Sequence, residues 1–349
     1  PGVPGVRVLG RRSLGEEMQP ADFARDVEDM VATILAEHAR RPFDILHAQY
    51  AYPNGWACLL AAREIGLPTV VSIQGGDGHW VGSCCDTHRA AMLEVLHQAD
   101  ALLIGCDSFA REVVERLGVE RERFTIVPGA VETSRFTPHQ PPGAAQDPVR
   151  LLYHGRVDRR KGALDFLHAL ALLDRGSFAA TISGIGPDLD AARALAAELA
   201  LDVAFTGYAD YAAAPAVYAL GDVFVSPTYA EGFSNTVLEA MASGLPVLSC
   251  RAVGVMGCLR DGENGLMVEP GDVPALAAAL RRLIAEPALR TRLAETALAE
   301  CRATYSWPTV AAQVMGVYAA LRGQAPRGAV NPTLPRDETC RFLAAPHLL

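Results

Sequence analysis

The residues best suited to chemistry lie in three short loops in the second half of the chain. The first, HGRVDRRKG (154–162), follows an apolar run and sets Arg156 and Lys161 on one turn between Gly155 and Gly162. The chain has 31 basic residues, and Lys161 is the only lysine among them. Two cations beside a helix start suit a diphosphate, because the free N–H groups there already carry about half a positive charge. A compact ammonium reaches a phosphate oxygen without the planar fork of arginine. Arg159 and Arg160, in the same run, read as a solvated charge cluster.

The second loop, SGIGPD (183–188), carries Gly184 and Gly186. A dinucleotide fingerprint wants a third glycine near 189, where this chain has Leu189, so an NAD site is disfavoured. Two readings stay open: a tight turn that lets a ligand approach the backbone, or packing alone. The third loop, SPTYAEGFSNTVLEAMASGLPVLSC (226–250), is the most informative. A strand ends at Ser226-Pro227, Ser234 stands at the N-cap of the helix NTVLEAMAS, and Gly244 closes it at C′. The amides near Ser234 to Thr236 then lie at a helix start suited to a phosphate.

Glu231 precedes that helix and Glu239 lies within it. The pair could be a glycosidase acid and nucleophile, with oxygens about 5–9 Å apart. Helix-start amides argue against this, since they ask for an anion. Glu239 could be an ordinary exposed helix residue. In the preferred reading both carboxylates accept hydrogen bonds from sugar hydroxyls, each charged bond worth about 1.5–3 kcal/mol.

Apolar runs and helical stretches must position these loops. In the first half, FDILHAQ (43–49), PTVVSIQ (68–74), ADALLIG (99–105) and FTIVP (124–128) read as strands, with amphipathic helices over 23–39, 56–66 and 88–98. A Pro/Gly-rich stretch, TPHQPPGAAQDP (137–148), reads as an interdomain linker. A fresh series follows: VRLLYHG (149–155), FAATISG (178–184), VAFTG (203–207), DVFVSP (222–227), LPVLSC (245–250) and GLMVEP (265–270), then a long helical region from 273 to 321. This alternation predicts two parallel α/β units, each binding ligand at the carboxyl ends of its strands, with a cleft between them as the natural active site. The expected domains are 1–145, 146–322 and a loosely attached tail, 323–349.

Composition narrows the partners. A formal charge of −9 repels a phosphate backbone, so nucleic acid is not expected. No apolar run is long enough to span a bilayer, and no signal pattern or dense basic amphipathic helix is present. At most a peripheral membrane contact is expected. Residue 1 is Pro, so the chain as given reads as a fragment or processed form. The eight cysteines form no CxxC pair and no cluster with zinc-ligand spacing; they read as small hydrophobes, reduced and cytoplasmic, with no metal.

The strings GRVDRRKG, SGIGP, FTGY, EGFSNTVLEAMASGLPV and DGENGLMVEPGD, in this order, resemble the retaining glycosyltransferases of family 4, which have the GT-B fold of two Rossmann-like domains. TIVPGAVETSRFTP is similar to the family's segment leading into the interdomain linker, and YSWPTVAAQVMGVYAAL to its final helix, which packs back on the first domain. The resemblance covers roughly residues 40 to 322.

It implies that Arg156 and Lys161 hold the donor diphosphate, with Gly155, Gly184 and Gly186 close by. Glu231 would contact the transferred sugar, the amides of Phe233, Ser234, Asn235 and Thr236 the phosphate, and Glu239 the ribose. It further implies a UDP- or GDP-linked donor, no cofactor, no divalent metal, and retention by front-face attack. Asp188 and Asp190 read as an acidic first helical turn rather than a metal motif. The acceptor, a saccharide, a lipid-linked or a small molecule, falls to the first domain: His47, Tyr50, Tyr52 and Asn54 after one strand, and Gln74, Asp77, His79 and Trp80 at the next. Trp80 is read equally as a sugar platform or an interface plug. Two departures stand out. The family's opening strand and glycine-rich loop are expected to be missing, with PGVRVLG (4–10) as a later strand, and Gln74 stands where many members carry histidine. These motivate two rival readings, a non-catalytic sugar-nucleotide-binding subunit and a GT-B sugar phosphorylase or epimerase.

Overall fold

Apolar runs become strands here because helices cover both of their faces. The structure, a computed structural model, describes residues 5–13, 23–77, 81–335 and Cys340. It divides into two units, Pro1–Leu103 with Val113–Thr125 and Tyr318–Leu349, and Ile104–Glu112 with Ile126–Val317.

The first unit carries α1 (Phe23–Arg40), β1 (Leu46–Gln49), α2 (Trp56–Ile65), β2 (Thr69–Ile73), a single turn α3 (Gly82–Cys84), α4 (Asp86–Gln98), β3 (Ala101–Ile104), α5 (Asp107–Leu117) and β4 (Phe124–Ile126). Its sheet runs β1-β2-β3-β4, with β1 parallel to β2. Every residue of β2 is buried, which is why PTVVSIQ shows no polar alternation. Residues 5–13 form no strand, contrary to the reading of PGVRVLG; Val6 and Val8 are exposed, and no ladder pairs them among the described residues.

The tail of this unit is irregular from 324 to 335 and lies along α4. Thr87 Oγ1 donates to the Pro335 carbonyl at 2.6 Å, the Asn331 amide donates to Glu94 at 3.3 Å, and the Arg327 amide to Asp100 at 2.5 Å. Cys340 is only 3% exposed.

The second unit contains β5 (Val149–His154), α6 (Ala163–Leu170), β6 (Phe178–Ser183), α7 (Leu189–Glu198), β7 (Val203–Gly207), α8 (Ala214–Tyr218), β8 (Val223–Ser226), α9 (Asn235–Ala242), β9 (Val247–Cys250), β10 (Leu266–Val268), α10 (Val273–Ala285) and α11 (Pro287–Thr304); α12 (Trp307–Leu321) crosses from this unit into the first. The six strands are parallel in the order β10-β9-β8-β5-β6-β7. Adjacent residues of β5 serve opposite faces: Leu151 packs with Phe166 and Leu280, Leu152 with Leu238 and Met241. Burying each such side chain is worth about 1.5–3 kcal/mol, so both helical layers are held firmly. The helical region 273–321 divides into three helices, because Pro287 and Pro308 fall in the first turns of α11 and α12, where a missing N–H costs nothing.

Chain order matters at β5. The chain moves outward through β6 and β7, then returns to lay β8 against the other side of β5. Arg150 on β5 ties this seam, its guanidinium 2.6 Å from Asp222, which is fully buried. The carboxyl ends of β5 and β8 therefore sit side by side, at the reversal of strand order where doubly wound sheets bind ligands.

Candidate active site

The loop leaving β5 is built on backbone contact. Gly155 (φ 146°) turns the chain away from the strand, and fully buried Val157 anchors it. The loop after β6 presses directly against it: the Gly155 amide donates to the Ser183 carbonyl at 3.0 Å and the Val157 amide to Ile185 at 2.9 Å. A Cβ on Gly184 (φ 135°) would stand 1.8 Å from the Gly155 oxygen, and one on Gly186 2.2 Å from that of Val157. Packing of the two loops thus suffices to require both glycines, the alternative that the sequence left open.

Lys161 ends a short 3₁₀ turn (Arg159–Lys161), and left-handed Gly162 follows. Asp158, 4% exposed, organises this turn. It accepts from the Arg160 amide at 2.8 Å and lies 3.1 Å from the Arg160 guanidinium and 3.4 Å from that of Arg156. The Lys161 ammonium is drawn the other way, to Glu231 at 2.8 Å and the Ala230 carbonyl at 3.3 Å. The two residues singled out from separate loops form one ion pair across the β5–β8 seam. Arg159, by contrast, points outward to Asp188 and is 72% exposed, as expected of a solvated charge.

Ser234 is the N-cap of α9, yet its hydroxyl makes no capping bond; it lies 3.5 Å from the Thr236 hydroxyl instead. The first-turn N–H groups, which have no intrahelical carbonyl to meet, therefore receive no bond from the capping side chain. Gly244 (φ 73°) ends the helix at C′, its amide on the Met241 carbonyl and the Leu245 amide on that of Ala240. Together Gly155, Arg156, Lys161, Glu231, Ser234 and Thr236 line a cleft of about 260 Å³. Two cations and an open helix start at one cleft are an arrangement chemically suited to a doubly charged anion.

Glu239 stands further along α9, half-buried, and accepts from the Tyr218 hydroxyl at 2.7 Å. Burial pushes its carboxyl up, while the Tyr218 hydroxyl and Arg135 pull it down. Tyr218 is fully buried beneath it and fixes the carboxylate's direction. Sequence reasoning passed over Tyr218, which reads as an ordinary core aromatic. It also passed over His154, whose ring packs edge-on against Tyr218 at 5.4 Å and meets the Ser183 hydroxyl at 3.2 Å. Burial lowers that imidazole's pKa against the opposing hydrogen bond at Ser183, and the ring lines the cleft. Its place at the head of HGR, directly before the cation loop, was the available signal.

In the first unit, His47 on β1 meets Ser72 at 2.8 Å and Tyr318 through its other nitrogen, and burial lowers its pKa. Exposed Tyr50 adopts φ 72°. Gln74 reaches Gln49 at 2.9 Å, and Asn54 caps the Gln49 carbonyl at 2.8 Å. Tyr52 is 9% exposed and its ring packs at a tilt against His88, centroids 4.4 Å apart. His79 and Trp80 lie outside the described residues. Asp77 differs from its expected role. It is fully buried, accepting from the amides of Ala51 (2.8 Å), Tyr52 (3.3 Å) and Gln74 (3.2 Å), so it positions the loop after β1 rather than touching a ligand.

Burial raises Asp77 from 3.8 to about 7 against those three amides. The native chain then holds a proton that the unfolded chain has lost across this window, so stability falls as pH rises from about 4 to 7, by up to about 1.4 kcal/mol per pH unit. Denaturant unfolding of Asp77→Asn and the parent at about pH 5 and about pH 7.5 should show this slope in the parent alone. Parallel pH profiles would remove Asp77 as its source.

Comparison with known proteins agrees with this architecture. A family described as "Glycosyl transferase 4-like domain" matches residues 1–130, and one described as "Glycosyl transferases group 1" matches residues 148–286. The chain is 30% identical over 367 residues to the D-inositol 3-phosphate glycosyltransferase of Nocardiopsis dassonvillei, covering 91% of this chain and 81% of that one. It is 28% identical over 344 residues to the glycogen synthase of Mycobacterium tuberculosis, covering 90% and 82%. Among solved structures, Anabaena Alr3699/HepE in complex with UDP superposes with a TM-score of 0.74 at 18% identity, covering 83% of this chain and 82% of that one. Among the described residues no helix is long and apolar enough to cross a membrane.

Proposed function

The chain belongs to the group 1 glycosyltransferases of family 4, and on that premise we propose that it moves a sugar from a UDP- or GDP-linked donor held in the second unit to a saccharide, lipid-linked or small-molecule acceptor, with retention of anomeric configuration. The observation that carries the reading is the Lys161–Glu231 pair at 2.8 Å beside the uncapped start of α9. A nucleoside diphosphate sugar needs a cation at its phosphates and a hydroxyl acceptor at its sugar, and this pair offers both side by side.

The diphosphate lies against the amides of Asn235 and Thr236, with Arg156 and Lys161 on its oxygens. Glu239, aimed by Tyr218, accepts from the ribose hydroxyls, and Glu231 from those of the transferred sugar. As the bond between the anomeric carbon and the phosphate oxygen breaks, negative charge grows on the departing diphosphate. The two cations and the helix start meet it without reorganising, so no divalent metal is needed there. The acceptor oxygen bonds to the anomeric carbon from the same face, and its proton passes to the leaving phosphate oxygen. Acceptor recognition falls to His47, Asn54 and Gln74 of the first unit. UDP is the form bound by the Anabaena protein of the same fold, which favours uridine at the base without deciding the sugar.

A thermal-shift screen of UDP-, GDP- and ADP-sugars tests the donor: ligand at about a hundred times its Kd adds about 2.7 kcal/mol of stability. Glu239→Gln keeps the shape but loses the charged acceptor, so donor KM should rise by about 10–100-fold with kcat changed far less. Binding of a donor with neither transfer nor slow donor hydrolysis would point to a non-catalytic subunit, and a requirement for inorganic phosphate to a phosphorylase.

A further inference from the structure

Away from the donor cleft, the first unit gathers Cys84, Cys85, His88 and Cys340, whose ligand atoms all lie within 4.8 Å of one another. The Cys84 sulfur is 3.0 Å and the Cys340 sulfur 3.5 Å from Nδ1 of His88. We propose that these four side chains bind one zinc ion, which fastens the carboxyl-terminal tail to the start of α4.

Donor chemistry, geometry and burial agree. Three sulfurs and one imidazole nitrogen are a Cys₃His set, which selects zinc over hard cations. Tetrahedral zinc, with bonds of about 2.3 Å to sulfur and 2.0–2.1 Å to nitrogen, spaces its donors by about 3.6–3.8 Å. The two sulfur–nitrogen separations, 3.0 and 3.5 Å, fall at or somewhat below that spacing and no pair exceeds 4.8 Å, so one ion fits with small shifts of the side chains. His88 and Cys340 are each 3% exposed, and Cys84 and Cys85 are half-buried, so the site is closed on the protein side as structural zinc sites are.

The local fold presents three donors together. Cys84 ends α3, Cys85 is the N-cap of α4, and His88 lies three residues on, its amide directed at the Cys85 sulfur at 3.5 Å. The spacing C-C-x-x-H supplies three donors, and the fourth comes from 252 residues away, delivered by the tail bonds to Thr87, Glu94 and Asp100. That separation is why the sequence showed no zinc pattern. Tyr52 packs against His88 and its amide is held by Asp77, so an ion here would also stiffen the loop after β1.

The test uses the full chain, purified under reductant without chelator. Elemental analysis should find about one zinc per chain, and cobalt reconstitution should give thiolate-to-metal charge transfer with tetrahedral ligand-field bands. Cys340→Ser leaves the three α3–α4 donors and should lower zinc affinity by at least about tenfold. In the parent, alkylation of Cys340 and proteolysis of the tail should accelerate when a strong chelator strips the ion, with circular dichroism verifying that the remaining chain stays folded. A folded chain without zinc whose Cys340 alkylates equally fast with and without added metal overturns the proposal. So does a Cys84–Cys340 or Cys85–Cys340 disulfide in the reductant-purified protein, or equal zinc affinity in Cys340→Ser.

Discussion

Replacing Lys161 by alanine is expected to lower kcat for sugar transfer by about 10²–10³-fold, the usual cost of removing one preorganised group from a developing charge. Donor binding should weaken less, because Arg156 and the α9 amides still hold the diphosphate before the bond breaks. The ammonium sits 2.8 Å from Glu231 and 3.3 Å from the Ala230 carbonyl, a position set for a point charge. Lys161→Arg should therefore recover only part of the loss, its fork being too broad for that space. Single-turnover release of nucleoside diphosphate separates the two parameters. A variant with unchanged kcat and a raised donor KM would confine Lys161 to ground-state binding.

The second large effect is expected at Gly184. Alanine there meets the Gly155 oxygen at 1.8 Å and carries φ 135°, so the loops after β5 and β6 must separate. Left-handed strain alone costs about 1–2 kcal/mol, and the clash adds to it. For a unit of this size that is a fall in Tm of at least about 2 °C. Activity should fall further than stability, because Gly155 and Arg156 move with the loop. Gly316, on α12 with nothing within 4 Å of a new Cβ, is the control. Gly316→Ala should leave activity unchanged and Tm equal or slightly raised. Equal behaviour of the two variants would mean that the loops do not depend on their close approach.

The ten strands among the described residues were legible as apolar runs, because buried parallel strands leave continuous hydrophobic stretches bounded by Gly and Pro. Arg156, Lys161, Glu231 and the α9 start were legible for a similar local reason: each stands in a short loop with its own glycines. What the sequence concealed depends on long-range placement. Nothing in HGRVDRRKG or in AEGFSN says that Lys161 and Glu231 touch; the reversal of strand order at β5 brings them together. Asp77 read as an acceptor-side residue, and only its three amide partners reveal a buried organiser. Tyr218 and Cys340 were hidden in the same way, one beneath Glu239 and the other beside His88.

A chain of 349 residues with one lysine has one internal cleavage point for a lysine-specific endoprotease and one side-chain amine for acylating reagents, and both coincide with the cation of the donor cleft. Two fragments meeting at residue 161, or a single mass increment on that side chain, would thus give a footprint without engineering or a fluorescent donor. Titrating nucleotide sugars against the rate of either reaction in the purified protein would report occupancy of the cleft directly.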